Sequence, residues 1–150
     1  MKTNVLVPTD RLEPTVGRRV GVDLVSVKEV EESLRRFGRR YLARIYTETE
    51  IRSCQRVRKG AVGYAVDSLA ARFAAKEAVV KVLRPDGVRP AWRTIEVVRH
   101  EAGWCTIRLS GLAEELSLRA GIRELSVSLT HDGEMAAAVV VATGPSELLT

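Results

Sequence analysis

Three places in this sequence put titratable groups where apolar residues are expected, and they are where chemistry could be done. In Arg72-Phe73-Ala74-Ala75-Lys76-Glu77-Ala78-Val79-Val80-Lys81 the spacing predicts a helix. Glu77 shares one helical face with Leu69, Ala70, Phe73 and Ala74 before it and with Val80 and Lys81 after it. A surface Glu77–Lys81 pair would be worth a few tenths of a kcal/mol. The alternative is a carboxylate held at the mouth of a cleft. Asp23 shows the same oddity inside the apolar run Val20–Val25. Aspartate is depleted in strands and rarely buried without a partner. Its plainer reading is a strand-end residue capping the next turn. Two carboxylates that interrupt apolar elements suit Mg²⁺, which takes one or two protein carboxylates together with substrate phosphates. His131 and Asp132, in Ser128–Val141, sit where two strands should turn. They read either as turn residues or as a phosphate contact and proton-handling group. His100 reads as surface.

The elements that must position these groups are legible in outline. Arg19–Val25 alternates like a strand. Ser26 is placed to cap a helix over Val27–Phe37, with Glu29 completing a capping box, and Gly38 ends it. Arg39–Ile45 forms a short basic amphipathic segment, and Thr47 with Glu50 signals another helix start. Lys59–Gly63 reads as loop. Asp67 or Ser68 then caps the longest helix, over Leu69–Leu83, which Arg84-Pro85-Asp86-Gly87 stops. Ile95–Arg99 and Cys105–Leu109 pair across Glu101-Ala102-Gly103. A helix over Leu112–Arg119 follows, then strands Glu124–Thr130 and Met135–Ala142 joined at His131-Asp132-Gly133-Glu134. This order predicts an α+β domain, an antiparallel sheet with helices packed on one face. The domain should span 19–143, between a flexible arm over 1–18 and a tail over 144–150.

Composition narrows the function classes. The 150 residues suit one core. With 45% hydrophobic and 29% charged residues the chain reads as soluble and globular. No apolar run is long enough to span a membrane and no signal peptide is evident, so a cytoplasmic location is expected. The formal net charge of +5 suits an anionic partner: nucleic acid, a phosphorylated ligand or an acidic protein. Aromatic residues at only 5% argue against a nucleic-acid surface. Cys54 and Cys105 form no metal-ligand pattern and read as free thiols.

Taken together, Gly21-Val22-Asp23, Phe73 to Lys81, Trp92-Arg93-Thr94-Ile95-Glu96-Val97 and Thr130-His131-Asp132 resemble the motifs of holo-acyl carrier protein synthase, the small type of 4′-phosphopantetheinyl transferase. Arg44–Ile51 also fits the family pattern, and the resemblance runs from Val20 to Val141. It implies Mg²⁺-dependent transfer of phosphopantetheine from coenzyme A to a serine of an apo acyl carrier protein, releasing 3′,5′-ADP. It also implies a homotrimer with active sites at subunit interfaces. By matching positions, Asp23 and Glu77 would be the metal ligands. Lys76 and Lys81 would serve the phosphates, and Thr130, His131 and Asp132 would flank coenzyme A. Glu77 is the candidate base for the serine hydroxyl, directly or through a metal-bound water. Lys76 is the candidate to stabilise the leaving 3′,5′-ADP. On a helix Lys76 lies about 100° away from Glu77, so the two lysines should reach different parts of the substrate.

Carrier proteins of fatty acid and polyketide synthesis are typically acidic. Arg35, Arg36, Arg39, Arg40 and Arg44 form the obvious docking cluster, or else a solvated helix face. The chain departs from the family pattern at Ser26, at Glu29 where an arginine is usual, and at Arg84-Pro85-Asp86 where a glycine-rich loop is usual. Thr130 replaces a serine and keeps its hydroxyl. The competing reading is a catalytically weak docking module with the same fold.

Overall fold

The computed structural model of the protein describes residues 17–145. In chain order these form β1 (Gly17–Ser26), α1 (Val27–Phe37), α2 (Arg39–Ile45), α3 (Glu48–Cys54), β2 (Gln55–Arg58), β3 (Ala61–Tyr64) and α4 (Val66–Leu83). A 3₁₀ turn (Trp92–Thr94), β4 (Ile95–Arg99), β5 (Cys105–Leu109), α5 (Gly111–Arg119), β6 (Glu124–Asp132) and β7 (Met135–Gly144) complete the chain. β1, β7 and β6 make one antiparallel sheet in that order, while β2–β3 and β4–β5 are separate hairpins. The expected α+β class holds, with the strands divided among three sheets.

α4 is the central element. Twelve of its eighteen residues are buried, so its apolar surface runs nearly all round and it must be enclosed on several sides. It lies against the inner face of the three-stranded sheet. Gly21 permits this. A Cβ at Gly21 would sit 2.1 Å from the Ala78 carbonyl oxygen, so strand and helix backbones touch there directly. The Arg19 guanidinium adds a hydrogen bond of 3.0 Å to the Val82 carbonyl. The facing surface of α4 is alanine: Ala70, Ala71, Ala74, Ala75 and Ala78 are all buried. Phe73 meets Trp92 edge-on at 5.3 Å, on the side of the 3₁₀ turn.

Several local expectations are met and several are corrected. The Ser26 hydroxyl accepts from the Glu29 N–H at the start of α1, which is half of the expected capping box. Thr47 and Glu50 form a complete one at α3. Lys59–Gly63 is not loop. Lys59 and Gly60, both with positive φ, make a tight turn between β2 and β3. His131 and Asp132 are not in the turn either: they pair with Ala136 and Met135 as the last rungs of β6. Gly17, Arg18 and Gly144, expected in the arm and tail, belong to the β1–β7 ladder. Of that arm and tail, 1–16 and 146–150 lie outside the described residues. Among the described residues no helix is long and apolar enough to cross a membrane.

The outer face of the sheet is uncovered. Val20, Val22 and Leu24 are 65%, 57% and 64% exposed, and Val139, paired with Val22, is exposed beside them.

Candidate functional site

β1 and α4 bring Asp23 and Glu77 together. Asp23 is on the helix-facing side of β1, two residues beyond the Gly21 contact, and its side chain is 18% exposed. Glu77 precedes Ala78, whose carbonyl meets Gly21, so the same close approach delivers both acids to one edge of the helix–sheet seam. Partial burial pushes the Glu77 carboxyl above the usual carboxylate range, and the Asp23 charge pushes it further; Arg89 and Lys81 pull the other way. The Lys81 ammonium donates to Asp23 Oδ1 at 2.9 Å and to the Val22 carbonyl at 2.7 Å while remaining half exposed. A cation already sits on one acid, and the two acids repel. That is the electrostatic demand a divalent cation would meet. Among the described residues no cluster of three or more potential ligands surrounds such an ion. A two-carboxylate set suits Mg²⁺, which keeps waters and takes its other ligands from phosphates.

Lys76 does not belong to this group, which corrects the role expected of it. Its side chain is fully buried, and Nζ donates to Glu50 Oε2 (2.8 Å), the Trp92 carbonyl (3.1 Å) and the Ile95 carbonyl (2.5 Å). All three ammonium protons are taken, so Lys76 has none to offer a phosphate. The helix explains the difference: one residue is about 100° of rotation, which turns Lys76 toward α3 and β4 while Glu77 faces β1. Burial pulls the Lys76 pKa down and Glu50 pulls it back up. Glu50 was legible only as a capping residue. Its burial shows that it also anchors Lys76, and its Oε1 accepts from the Val97 N–H at 2.8 Å.

His131 lies elsewhere. Its Nδ1 is 3.6 Å from Asp67 Oδ2, in the first turn of α4. Ten residues separate Asp67 from Glu77, about 15 Å along the helix. Within one chain the histidine and the acid pair therefore do not meet. His131 and Thr130 instead line a cleft of about 410 Å³ with Arg72, Arg99, Trp104 and Ser128. Asp132, exposed at the end of β6, does not line it.

Arg72 is the informative member of this cleft. It is 4% exposed and donates to Ser53 Oγ and the Ser68 carbonyl, yet its buried Nε has no partner. An unsatisfied buried donor in a basic cleft suits an anion. At the rim, Trp104 is exposed and stacks on His100 at 3.9 Å between ring centroids. Arg72, Arg99, Trp104 and Asp67 were not legible as site residues. The one signal was Arg72 itself, a charge at the head of an alanine-rich helix.

Known proteins of one family are similar to this chain over most of its length. The profile of the 4′-phosphopantetheinyl transferase superfamily matches residues 19–140. A holo-[acyl-carrier-protein] synthase of Desulforudis audaxviator is 41% identical over 128 residues, covering 85% of this chain and 94% of that relative. One of Chloroflexus aggregans is 42% identical, covering 81% and 92%. Among solved structures, the Helicobacter pylori holo-[acyl-carrier-protein] synthase in complex with coenzyme A superposes with a TM-score of 0.69 at 31% identity, covering 83% of this chain and 99% of that one. An ACPS–CoA complex from Chronobacterium ammoniagenes superposes at 0.71 with 30% identity, covering 85% and 98%.

Proposed function

The chain belongs to the 4′-phosphopantetheinyl transferase superfamily, its activity is that of a holo-[acyl-carrier-protein] synthase, and we propose that it works through Asp23, Glu77 and Lys81 with Mg²⁺. It moves 4′-phosphopantetheine from coenzyme A to a serine of an apo acyl carrier protein. The observation that carries the site reading is the pair of acids at the Gly21 seam, mutually repelling and already drawing the Lys81 ammonium.

In the reaction the serine oxygen bonds to the phosphorus that carries pantetheine, and the pyrophosphate P–O bond to 3′,5′-ADP breaks. Bound Mg²⁺ would supply charge neutralisation and orientation of the pyrophosphate oxygens. Asp23 and Glu77 would hold it. Glu77 is the candidate to take the serine proton, directly or through a metal-bound water. Lys81 can leave Asp23 for a phosphate oxygen, because it is half exposed on a flexible stem. The Lys76 role at the leaving group is not retained. The cleft of Arg72, Arg99 and His131 supports binding of the remaining coenzyme A phosphate, the 3′-phosphate.

The distance between this cleft and the acid pair supports a site shared between copies of the chain, and the family resemblance makes that assembly a homotrimer. If both serve one coenzyme A, His131 of one copy would complete the acid pair of the next. The exposed valines and leucine of the sheet suit burial against a second copy. Arg35, Arg36, Arg39, Arg40 and Arg44 are all exposed and suit an acidic carrier. The test is to incubate the protein with coenzyme A, Mg²⁺ and a panel of apo carriers and weigh the carriers. A phosphopantetheine increment on at least one supports the activity; unmodified carriers throughout favour a docking module.

A further inference from the structure

α4 packs its alanines against β1 and β7, and that smooth face fixes distance better than rotation. Ala70, Ala74 and Ala78 offer no long ridges to interlock with the sheet, and Gly21 meets the helix with bare backbone. Glu77 nevertheless has to face Asp23. The bonds between α4 and β1, from Arg19 to the Val82 carbonyl and from Lys81 to Asp23 and the Val22 carbonyl, run through long side chains that are not fully buried, whereas the opposite side of α4 carries buried directional bonds. Lys76 donates to Glu50, to the 3₁₀ turn at Trp92 and to β4 at Ile95. Glu50 in turn accepts from Thr47 N–H at 2.8 Å and from Val97 N–H, which ties α3 and β4 to the same point. The Thr47 hydroxyl then donates to Glu96, which Arg108 also reaches.

Stability alone is a poor reason for this arrangement. Burying two charges costs several kcal/mol per ion, and apolar residues of the same size often serve a core as well or better. Three bonds from one ammonium, in three directions, do what apolar contacts cannot: they define an angle.

We propose that the buried Lys76–Glu50 pair is a positioning device that locks the rotation of α4, so that the next residue, Glu77, is held toward Asp23 at cation-binding distance. Lys76 acts through Glu77 and touches no substrate. The inference rests on the reading of Asp23 and Glu77 as the cation pair.

The test uses the full-length protein and Mn²⁺ as a spin probe of the site. In Lys76→Met/Glu50→Gln both charges are removed together, and the introduced amide keeps an acceptor for one of the two backbone N–H groups. The expected result is a folded protein with a melting temperature near that of the wild type. Its Mn²⁺ binding is weakened on the order of tenfold, as a small misplacement of a ligand predicts. Its KM for carrier is unchanged. A role confined to stability would move the melting temperature and leave Mn²⁺ affinity alone. Wild-type Mn²⁺ affinity in the double variant overturns the proposal. Asp23→Asn and Glu77→Gln run beside it. If they lose Mn²⁺ while the double variant keeps it, the cation pair stands and the lock falls. If they too keep it, the cation pair falls and the lock with it. If the double variant does not fold, Glu50→Asp, which keeps the charge and shortens its reach, decides: weaker Mn²⁺ binding supports the lock and unchanged binding refutes it.

Discussion

Gly21→Ala is the sharpest perturbation of this architecture, because one methyl group addresses the contact that brings the two acids together. The added Cβ would stand 2.1 Å from the Ala78 carbonyl oxygen and 3.0 Å from Val82 Cγ2. Real Cβ contacts essentially never fall below 3.0 Å, so α4 and β1 must separate by about 0.9 Å locally. Neither partner can yield by a rotamer change at Ala78, since the obstruction is backbone. Overpacking of this kind costs about 1–3 kcal/mol. For a chain of this size that is a fall in Tm of roughly 3–10 °C. The functional loss should be larger in proportion. Asp23 and Glu77 lie on the two parts being separated, and a misplacement of about 1 Å can cost on the order of a hundredfold in rate. The assay is thermal unfolding by circular dichroism beside transfer kinetics at saturating Mg²⁺. A Gly21→Ala protein with wild-type Tm and wild-type kcat would refute the seam as the determinant of the site.

Three further outcomes are expected. The raised Glu77 pKa makes protons compete with the cation at higher pH than for an ordinary carboxylate, so half-saturating Mg²⁺ should rise as pH falls, and Glu77→Gln should weaken that dependence in any residual binding, leaving only the part due to Asp23. The stability sign runs the other way: without metal, a carboxyl whose folded pKa is raised favours folding below its unfolded pKa, and that contribution is lost as pH rises through the folded value. Metal-free Glu77→Gln should therefore melt slightly higher than the wild type at neutral pH, measured by calorimetry. Val20→Glu places a charge on the uncovered sheet face and should convert a trimer to monomers in light scattering, with loss of transfer. A trimer that survives it would remove that face from the interface.

What could be read from the sequence was local, and what could not was set by tertiary contacts. Thr47 and Glu50 announce α3 because a capping box is a short-range signal, yet nothing local says that Glu50 is also the buried partner of Lys76, twenty-six positions on. Glu77 and Asp23 stood out because each breaks an apolar pattern. Lys76 is charged and adjacent to Glu77; the helix turns it about 100° away, and only its burial shows that it meets Glu50 there rather than a substrate phosphate. The β2–β3 hairpin is not legible in the sequence because Val57 and Val62 pair across an exposed ladder that has no buried face to impose alternation. The separation of His131 from the acids depends on where β6 crosses α4, which no spacing in the chain encodes.

The most direct test of the two-acid site titrates Mg²⁺ into the transfer reaction, with wild type, Asp23→Asn and Glu77→Gln assayed by the mass of the carrier. The expected result is saturable Mg²⁺ dependence in the wild type and loss of transfer in both variants, with folding intact. Transfer that persists in either variant at wild-type rate and wild-type Mg²⁺ dependence would contradict it.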